Sequence, residues 1–119
     1  MPSRHFKHRN RAFHAQQHRC CYCGVLMWTR NPEDLGLPSH LHEAARRLQC
    51  TAEHLQAKSD DGPNTSSNIA AACRHCNYSR HRALPAPSPH EYQSLVEHEV
   101  ARGGWHDPWV FQAGLIVTP

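Results

Sequence analysis

The sequence has little of the material that builds a large hydrophobic core. Only 39% of its 119 residues are hydrophobic and 8% are aromatic, and no apolar run is long enough to span a membrane. A chain of this length is typical of one domain. Small domains with little apolar material often depend on a bound metal or on disulfides for stability. We therefore expect one small, cross-linked domain.

Acidic residues are missing from the first part of the chain. No Asp or Glu precedes Glu33, whereas six Arg and Lys residues do. The net charge is only +3, so the distribution of charge says more than its size. A basic N-terminal arm over residues 1–14 suits a polyanion such as nucleic acid. A solvated, partly disordered tail would carry the same charges, and both interpretations stand at this point.

The sequence also shows no secretion signal. Its start, from Met1 to His5, is polar, and no apolar segment follows. The six cysteines would indicate disulfides in a secreted protein, but in a reducing compartment paired cysteines more often bind metal. We therefore expect a cytoplasmic protein, with no membrane partner, whose cysteines bind a metal ion.

What the sequence does contain is two Cys-x-x-Cys pairs. They are Cys20, Cys23, Cys73 and Cys76. Two such pairs far apart in sequence predict a tetrahedral structural zinc site, because a tight turn lets both thiolates of a pair face one ion. The alternatives are core cysteines or disulfide partners, or Cys21 in the place of Cys20. Cys50 is interpreted as a small buried hydrophobic residue.

Local patterns around the cysteines predict short elements of both kinds, and so the α+β class. Strands or extended segments are expected at residues 25–28, 50–58 and 69–72, and helices at residues 12–19, 39–49 and 73–82. Prolines at 85, 87 and 89 predict a stiff linker. A final helix with Tyr92, Leu95, Val96 and Val100 on one face should end at Gly103-Gly104. The apolar tail from Trp105 should pack back on the domain.

One group of polar residues suits phosphodiester hydrolysis, which needs an activated water, a cation for the developing charge and an acid for the leaving oxygen. His54 can take a proton near neutral pH. Glu53 and Asn77 offer hard oxygen ligands to Mg²⁺. Arg80 and Arg82 can hold flanking phosphates.

The order of these features resembles the HNH family of nucleases, also called the ββα-metal or His-Me finger group. The resemblance covers roughly residues 15–83. It consists of a cysteine pair, the acid-His pair Glu53-His54, a polar loop with Gly62, the single Asn68, and a second cysteine pair followed by Asn77. This ordered set is far more specific than any one of its members.

The resemblance implies a role for each matching residue. His54 would be the general base, Glu53 a ligand of the catalytic metal, and Asn68 the residue that ties down the loop and helps to orient the histidine. Asn77 takes the last ligand position, where the family name leads one to expect histidine. His81, one helical turn later, could be a second ligand. In an ideal strand Glu53 and His54 point to opposite faces, so both reach one metal only if the strand twists or ends there.

The implied fold is a small zinc-stapled ββα-metal core, treble-clef-like, with flanking helices. The core would span residues 15–84, including the inserted helix, between the arm at 1–14 and a C-terminal segment at 85–119. The zinc would hold the fold, and Mg²⁺, Mn²⁺ or another divalent transition metal would serve the chemistry. These two metals therefore have separate roles.

The sequence thus predicts an endonuclease that cuts DNA, most simply double-stranded DNA. The residues expected to contact nucleic acid are Arg80, Arg82, Lys58 and Arg11. A homodimer or a recruiting protein could add specificity. The alternative is a zinc-dependent nucleic-acid-binding module without catalysis, and a nuclease fold that has lost its activity is a third possibility.

Overall fold

The computed structural model describes residues 4–117. Its helices are α1 (Arg4–Ala15), α2 (Arg74–Arg82), α3 (Pro89–Ala101) and α4 (Pro108–Gln112), and its strands are β1 (Cys50–His54) and β2 (Ile69–Cys73). Short 3₁₀ turns lie at Pro32–Leu35, Ser39–Leu41, Ala44–Leu48 and Lys58–Asp60.

The centre of the fold is a ββα unit. β1 and β2 pair antiparallel from Cys50 opposite Cys73 to His54 opposite Ile69. α2 follows β2 directly, and the Cys73 sulfur accepts a hydrogen bond from the backbone N–H of Cys76 in its first turn. The predicted α+β class with a small ββα core is confirmed.

The basic N-terminal segment is a helix packed on this sheet. α1 buries Phe13, and the guanidinium of Arg9 is buried and donates to the carbonyl of Cys50 at 3.3 Å. α1 ends where Gln17 and His18 adopt positive φ angles of 58° and 68°. From residue 4 onward the arm is therefore a docked helix rather than a disordered tail, and the helix predicted for residues 12–19 starts earlier and ends at Ala15.

The helix predicted for residues 39–49 is wrong, because this stretch forms two 3₁₀ turns. Trp28 accounts for the difference. Its indole N–H donates to the carbonyl of Ala45 at 2.8 Å, and its backbone N–H approaches the carbonyl of Leu48 at 3.4 Å. These carbonyls therefore accept from Trp28 instead of from the backbone N–H groups that an α-helix would offer them. The strand predicted at residues 25–28 is likewise reduced to two isolated bridges, at Leu26 and Trp28.

The C-terminal part shares the core of the ββα unit. α3 begins after Ser88, whose hydroxyl accepts from the N–H of Glu91, and it buries Tyr92, Val96 and Val100. Leu95 was expected on the same face but is 53% exposed, because the buried stripe is only one residue wide. In the tail, buried side chains from α4 onward join the same core; they are Val110, Leu115 and Ile116. Between residues 4 and 117 no helix is long and apolar enough to cross a membrane.

Candidate metal centre and active site

The four cysteines of the two pairs form one buried cluster. The sulfurs of Cys20, Cys23, Cys73 and Cys76 all lie within 4.8 Å of one another. Cys23 Sγ and Cys73 Sγ are 3.9 Å apart. A tetrahedral zinc with Zn–S bonds of about 2.3 Å separates its sulfurs by about 3.8 Å, so the cluster fits zinc. Cys50 is buried but lies outside the cluster, as does the half-buried Cys21.

Groups from the first cysteine knuckle and from the C-terminal segment contact the sulfurs. The N–H of Tyr22 donates to Cys20 Sγ at 3.4 Å, within the first turn of the knuckle. From the C-terminal segment, the indole N–H of Trp105 donates to Cys76 Sγ at 3.2 Å, and His106 Nε2 lies 3.2 Å from Cys23 Sγ. Sequence reasoning missed Trp105 and His106 because no regular spacing links them to the cysteines. Such contacts hold the sulfurs in place around an ion.

Electrostatics favour the thiolate form at one sulfur of the cluster, that of Cys20. Burial raises the pKa of the Cys20 thiol, but hydrogen bonds from neighbouring thiols outweigh burial and bring the pKa well below its usual value. Burial raises the pKa of Cys73 and Cys76. Burial and the nearby His75 lower the pKa of His106 to about 4. One sulfur thus loses its proton readily, and a cation is the group that would let the others follow.

A second site, the candidate active site, lies around the charged residue Glu53. Its side chain is completely buried at the junction of β1 and α2. Oε1 lies 2.6 Å from His81 Nε2, and Oε2 lies 3.4 Å from Arg80 Nη1. The structure therefore brings Glu53 and His81 into direct contact. Burying a carboxylate is costly unless it is paired, and here two α2 side chains pair with it.

The sequence predicts that Arg80 contacts a phosphate, but in the structure Arg80 is buried. Its side chain is only 4% exposed. The guanidinium donates to the carbonyls of His54, Leu55 and Pro87 at 2.9 Å each. It is thus fixed by backbone and Glu53 and cannot reach a phosphate in solvent. The prediction failed because position 80 lies on the inner face of α2, next to the strand end.

Two buried oxygens beside this network have no hydrogen-bond partner among the described residues. They are Glu53 Oε2 and the hydroxyl of Tyr22. Burial raises the pKa of Tyr22, and the negative charge of Glu53 raises it further, so the hydroxyl stays protonated. Glu53 Oε1 and His81 Nε2 are a carboxylate oxygen and an imidazole nitrogen side by side, a donor pair that a divalent cation can accept. The Arg80 charge beside Oε2 leaves the Oε1–His81 side for the cation.

Asn77 lies one helical turn before His81. Its amide nitrogen donates to Thr51 Oγ1 at 3.0 Å and to the carbonyl of Ala52 at 3.1 Å. These bonds fix the side chain against β1, at the two residues that precede Glu53. Asn77 and His81 thus approach the same strand from consecutive turns of α2.

His54 is the last residue of β1, and its contact differs from those of Glu53. Its Nε2 lies 2.7 Å from the amide oxygen of Asn64 in the loop between the strands. An amide oxygen only accepts, so Nε2 donates in this contact. The Glu53 side chain contacts α2, whereas that of His54 contacts the loop. This agrees with the rule that successive side chains of a strand point to opposite faces. Sequence reasoning did not identify Asn64 as the partner of His54.

The loop from Leu55 to Asn68 is closed by Asn68. Its amide group donates to the carbonyls of Gln56 and Pro63 and accepts from the N–H of Gln56 at 2.7 Å. Gly62 packs so tightly inside the loop that a Cβ would lie 1.8 Å from the carbonyl oxygen of Gln56. The loop conformation, and with it the position of Asn64, therefore depends on these two residues.

The other predicted nucleic-acid contacts are exposed. Arg11 lies on α1, Lys58 in the loop and Arg82 at the end of α2. Arg11 lines a cleft between α1 and the loop together with Lys7, His8 and Asn64. The contact between Asn64 and His54 connects this cleft to the strand end.

Comparison with known proteins agrees with this geometry. The family model described as HNH endonuclease matches residues 39–83. Residues 39–83 are thus similar to an HNH domain. No significant match was found among curated proteins or among solved structures.

The HNH domain match includes both strands, α2 and the second cysteine pair. It also contains every residue of the second site, from Glu53 to Arg82. α1, the first cysteine pair and the C-terminal segment lie outside the matched residues, yet Cys20, Cys23 and Trp105 meet the domain at the sulfur cluster. HNH domains act on nucleic acids, so the match supports a nuclease-type function for this chain.

Proposed function

We propose that the protein is a metal-dependent endonuclease that hydrolyses phosphodiester bonds in double-stranded DNA. The observation that carries the proposal is the buried Glu53 carboxylate, 2.6 Å from His81 Nε2 and directly before His54 in a matched HNH domain. A hard carboxylate and an imidazole held together against a helix are suited to a divalent ion. The sulfur cluster would hold a separate structural zinc.

Glu53 and His81 would hold the catalytic metal, with Asn77 as a further ligand on the same helix. Mg²⁺, Mn²⁺ or another divalent transition metal would supply positive charge for the phosphate oxygens. His54 would take the proton from the attacking water, and Asn64 would keep its imidazole in one orientation. Asn68 would hold the loop that carries Asn64.

The exposed cations Arg11, Lys58 and Arg82 would contact phosphates on either side of the cleaved bond. Such contacts position DNA without reading its sequence, so a homodimer or a recruiting protein would supply specificity. None of the six cysteines forms a disulfide, which suits a reducing compartment such as the cytoplasm.

A plasmid-nicking assay on zinc-loaded protein with added Mg²⁺, Mn²⁺ or Ni²⁺ tests the proposal. His54→Ala should lower the nicking rate by about 10²- to 10⁴-fold, the usual contribution of a general base. His98→Ala, on the exposed side of α3, is the matched control and should nick at the wild-type rate. Wild-type nicking by His54→Ala would remove His54 from the mechanism.

One observation favours a binding module without catalysis. Arg80, Glu53 and His81 already form a closed ion-pair network, which could be purely structural. Such a module would bind DNA with an affinity that falls with salt and would cleave with none of the three metals. The nicking assay and a binding assay on the same preparation separate the two functions.

A further inference from the structure

A second basic cleft lies on the outer side of α2, away from Glu53. It has a volume of about 330 Å³. Three arginines line it, together with an aromatic ring and two further polar side chains; they are Arg47, Arg74, Arg82, Tyr78, His75 and Ser79. Arg47 comes from the 3₁₀ turn Ala44–Leu48 and the others from α2. The cleft therefore joins the inserted segment to the nuclease helix.

The arginines of this cleft are poorly neutralised. Within residues 4–117 no carboxylate pairs with Arg74 or Arg82, and Arg47 reaches only Asp107, at 3.7 Å with both side chains about half exposed. No acidic residue lines the cleft itself. Three positive charges against one peripheral carboxylate make a site for an anion, and guanidinium groups match the geometry of phosphate oxygens.

Contacts among the side chains that line the cleft hold them in place. Arg47 Nη2 lies 2.9 Å from His75 Nδ1, which fixes its guanidinium at the edge of the cleft. The guanidinium of Arg74 lies over the ring of Tyr78, 4.8 Å from its centre. The Tyr78 ring is 49% exposed, so it offers an open apolar surface beside the charges. Exposed rings beside cations are typical of surfaces that contact nucleic acid.

The position of the cleft on α2 relates it to the candidate active site. Arg74, Tyr78 and Arg82 follow one another at intervals of four and so form one stripe of the helix. Asn77 and His81 form the neighbouring stripe, which faces β1. A DNA strand whose cleaved phosphate lay at His81 would cross α2 and place a neighbouring phosphate in the cleft.

We propose that this cleft binds the DNA backbone through a phosphate flanking the cleaved bond, held by Arg47, Arg74 and Arg82. The proposal rests on the proposed function for the identity of the ligand. Arg47 and Arg74 would thus act together with Arg82, which the sequence predicts as a phosphate contact.

Anisotropy of a labelled DNA duplex, measured on zinc-loaded protein without added Mg²⁺ or Mn²⁺, tests the cleft without cleavage. Arg74→Gln and Arg82→Gln should each weaken binding about three- to tenfold and lower the slope of log affinity against log salt by about one. The control is Arg46→Gln, which removes an exposed charge next to Arg47 that is paired with Glu43 outside the cleft. Zinc content and circular dichroism should match wild type for all three.

Other outcomes separate the proposals. Wild-type affinity and salt slope in Arg74→Gln and Arg82→Gln would overturn the cleft proposal even if the protein nicks DNA. If these variants lose binding and wild type does not nick DNA, the cleft proposal would be supported and the proposed nuclease function would be wrong. Preference for poly-glutamate over DNA would overturn the backbone contact.

Discussion

Glu53, the proposed metal ligand, also accounts for a large share of the local stability. A fully buried carboxylate persists only because Arg80 and His81 pair with it. The arginine also satisfies three backbone carbonyls at the end of β1 and beyond. Removing one partner of such a pair leaves an uncompensated buried charge.

Arg80→Met should therefore lower the free energy of unfolding by about 3–5 kcal/mol, as measured by urea denaturation of zinc-loaded protein. Arg82→Met, at the exposed neighbouring position, is the control and should change it by less than about 0.5 kcal/mol. In the double variant Glu53→Gln/Arg80→Met the buried charge is gone, so the loss should be smaller than the sum of the single losses. Strictly additive losses would show that Glu53 and Arg80 do not interact.

The sequence predicts the relative positions of these residues where their spacing along a helix determines them. Asn77 and His81 lie one turn apart on any helix, so their common approach to β1 was predictable. The burial of Arg80 was not, because it depends on where the strand end and Pro87 carbonyls lie in space. The same holds for Asn64, which contacts His54 only because the loop is folded back by Asn68.

At the level of elements, α1 is an unusual support for the sheet, because most of its residues are basic or histidine. α1 nevertheless packs on both strands, Phe13 is buried, and the buried Arg9 donates to the carbonyl of Cys50. Phe13 also stacks on the ring of His18, with centroids 4.2 Å apart. This single aromatic anchor joins α1 to the turn that precedes the first cysteine pair.

Phe13→Ala should destabilise the protein by about 3–5 kcal/mol, the usual cost of removing a buried aromatic ring. The control is Phe6→Ala on the same helix, since Phe6 is 38% exposed and should cost about 1 kcal/mol or less. Thermal or urea unfolding measures both. Equal losses for the two variants would mean that α1 is not docked through Phe13.

The elements themselves were predicted unevenly. β2 and α2 follow from an apolar run that ends in a cysteine knuckle, and the structure has them within a residue or two of the prediction. The segment at residues 39–49 has helical spacing of apolar residues, but Trp28 binds the carbonyl of Ala45, so tertiary contacts override the local pattern. α4 was missed because five residues carry too little periodicity to be recognised.

At the scale of the whole molecule, the sulfur cluster is where distant parts of the chain meet. Cys20 and Cys23 come before the HNH domain, Cys73 and Cys76 lie within it, and Trp105 and His106 return from beyond α3. The Tyr92 hydroxyl adds a bond from α3 to the carbonyl of Cys76 at 2.7 Å. The two-stranded sheet alone is too small to be stable in isolation, and the cluster joins it to the segments before and after it.

The protein should therefore contain one tightly held zinc per chain and unfold when it is removed. Cys76→Ser breaks the cluster and should abolish both zinc content and cooperative unfolding, because metal-binding free energy in such small domains is folding free energy. Cys21→Ser is the matched control: Cys21 is adjacent to Cys20 but outside the cluster, so this variant should keep its zinc. Elemental analysis and circular dichroism, with and without a strong chelator, measure both effects. A chain that stays folded and cooperative after complete zinc removal would show that packing around Tyr92 and Trp105 suffices without the metal.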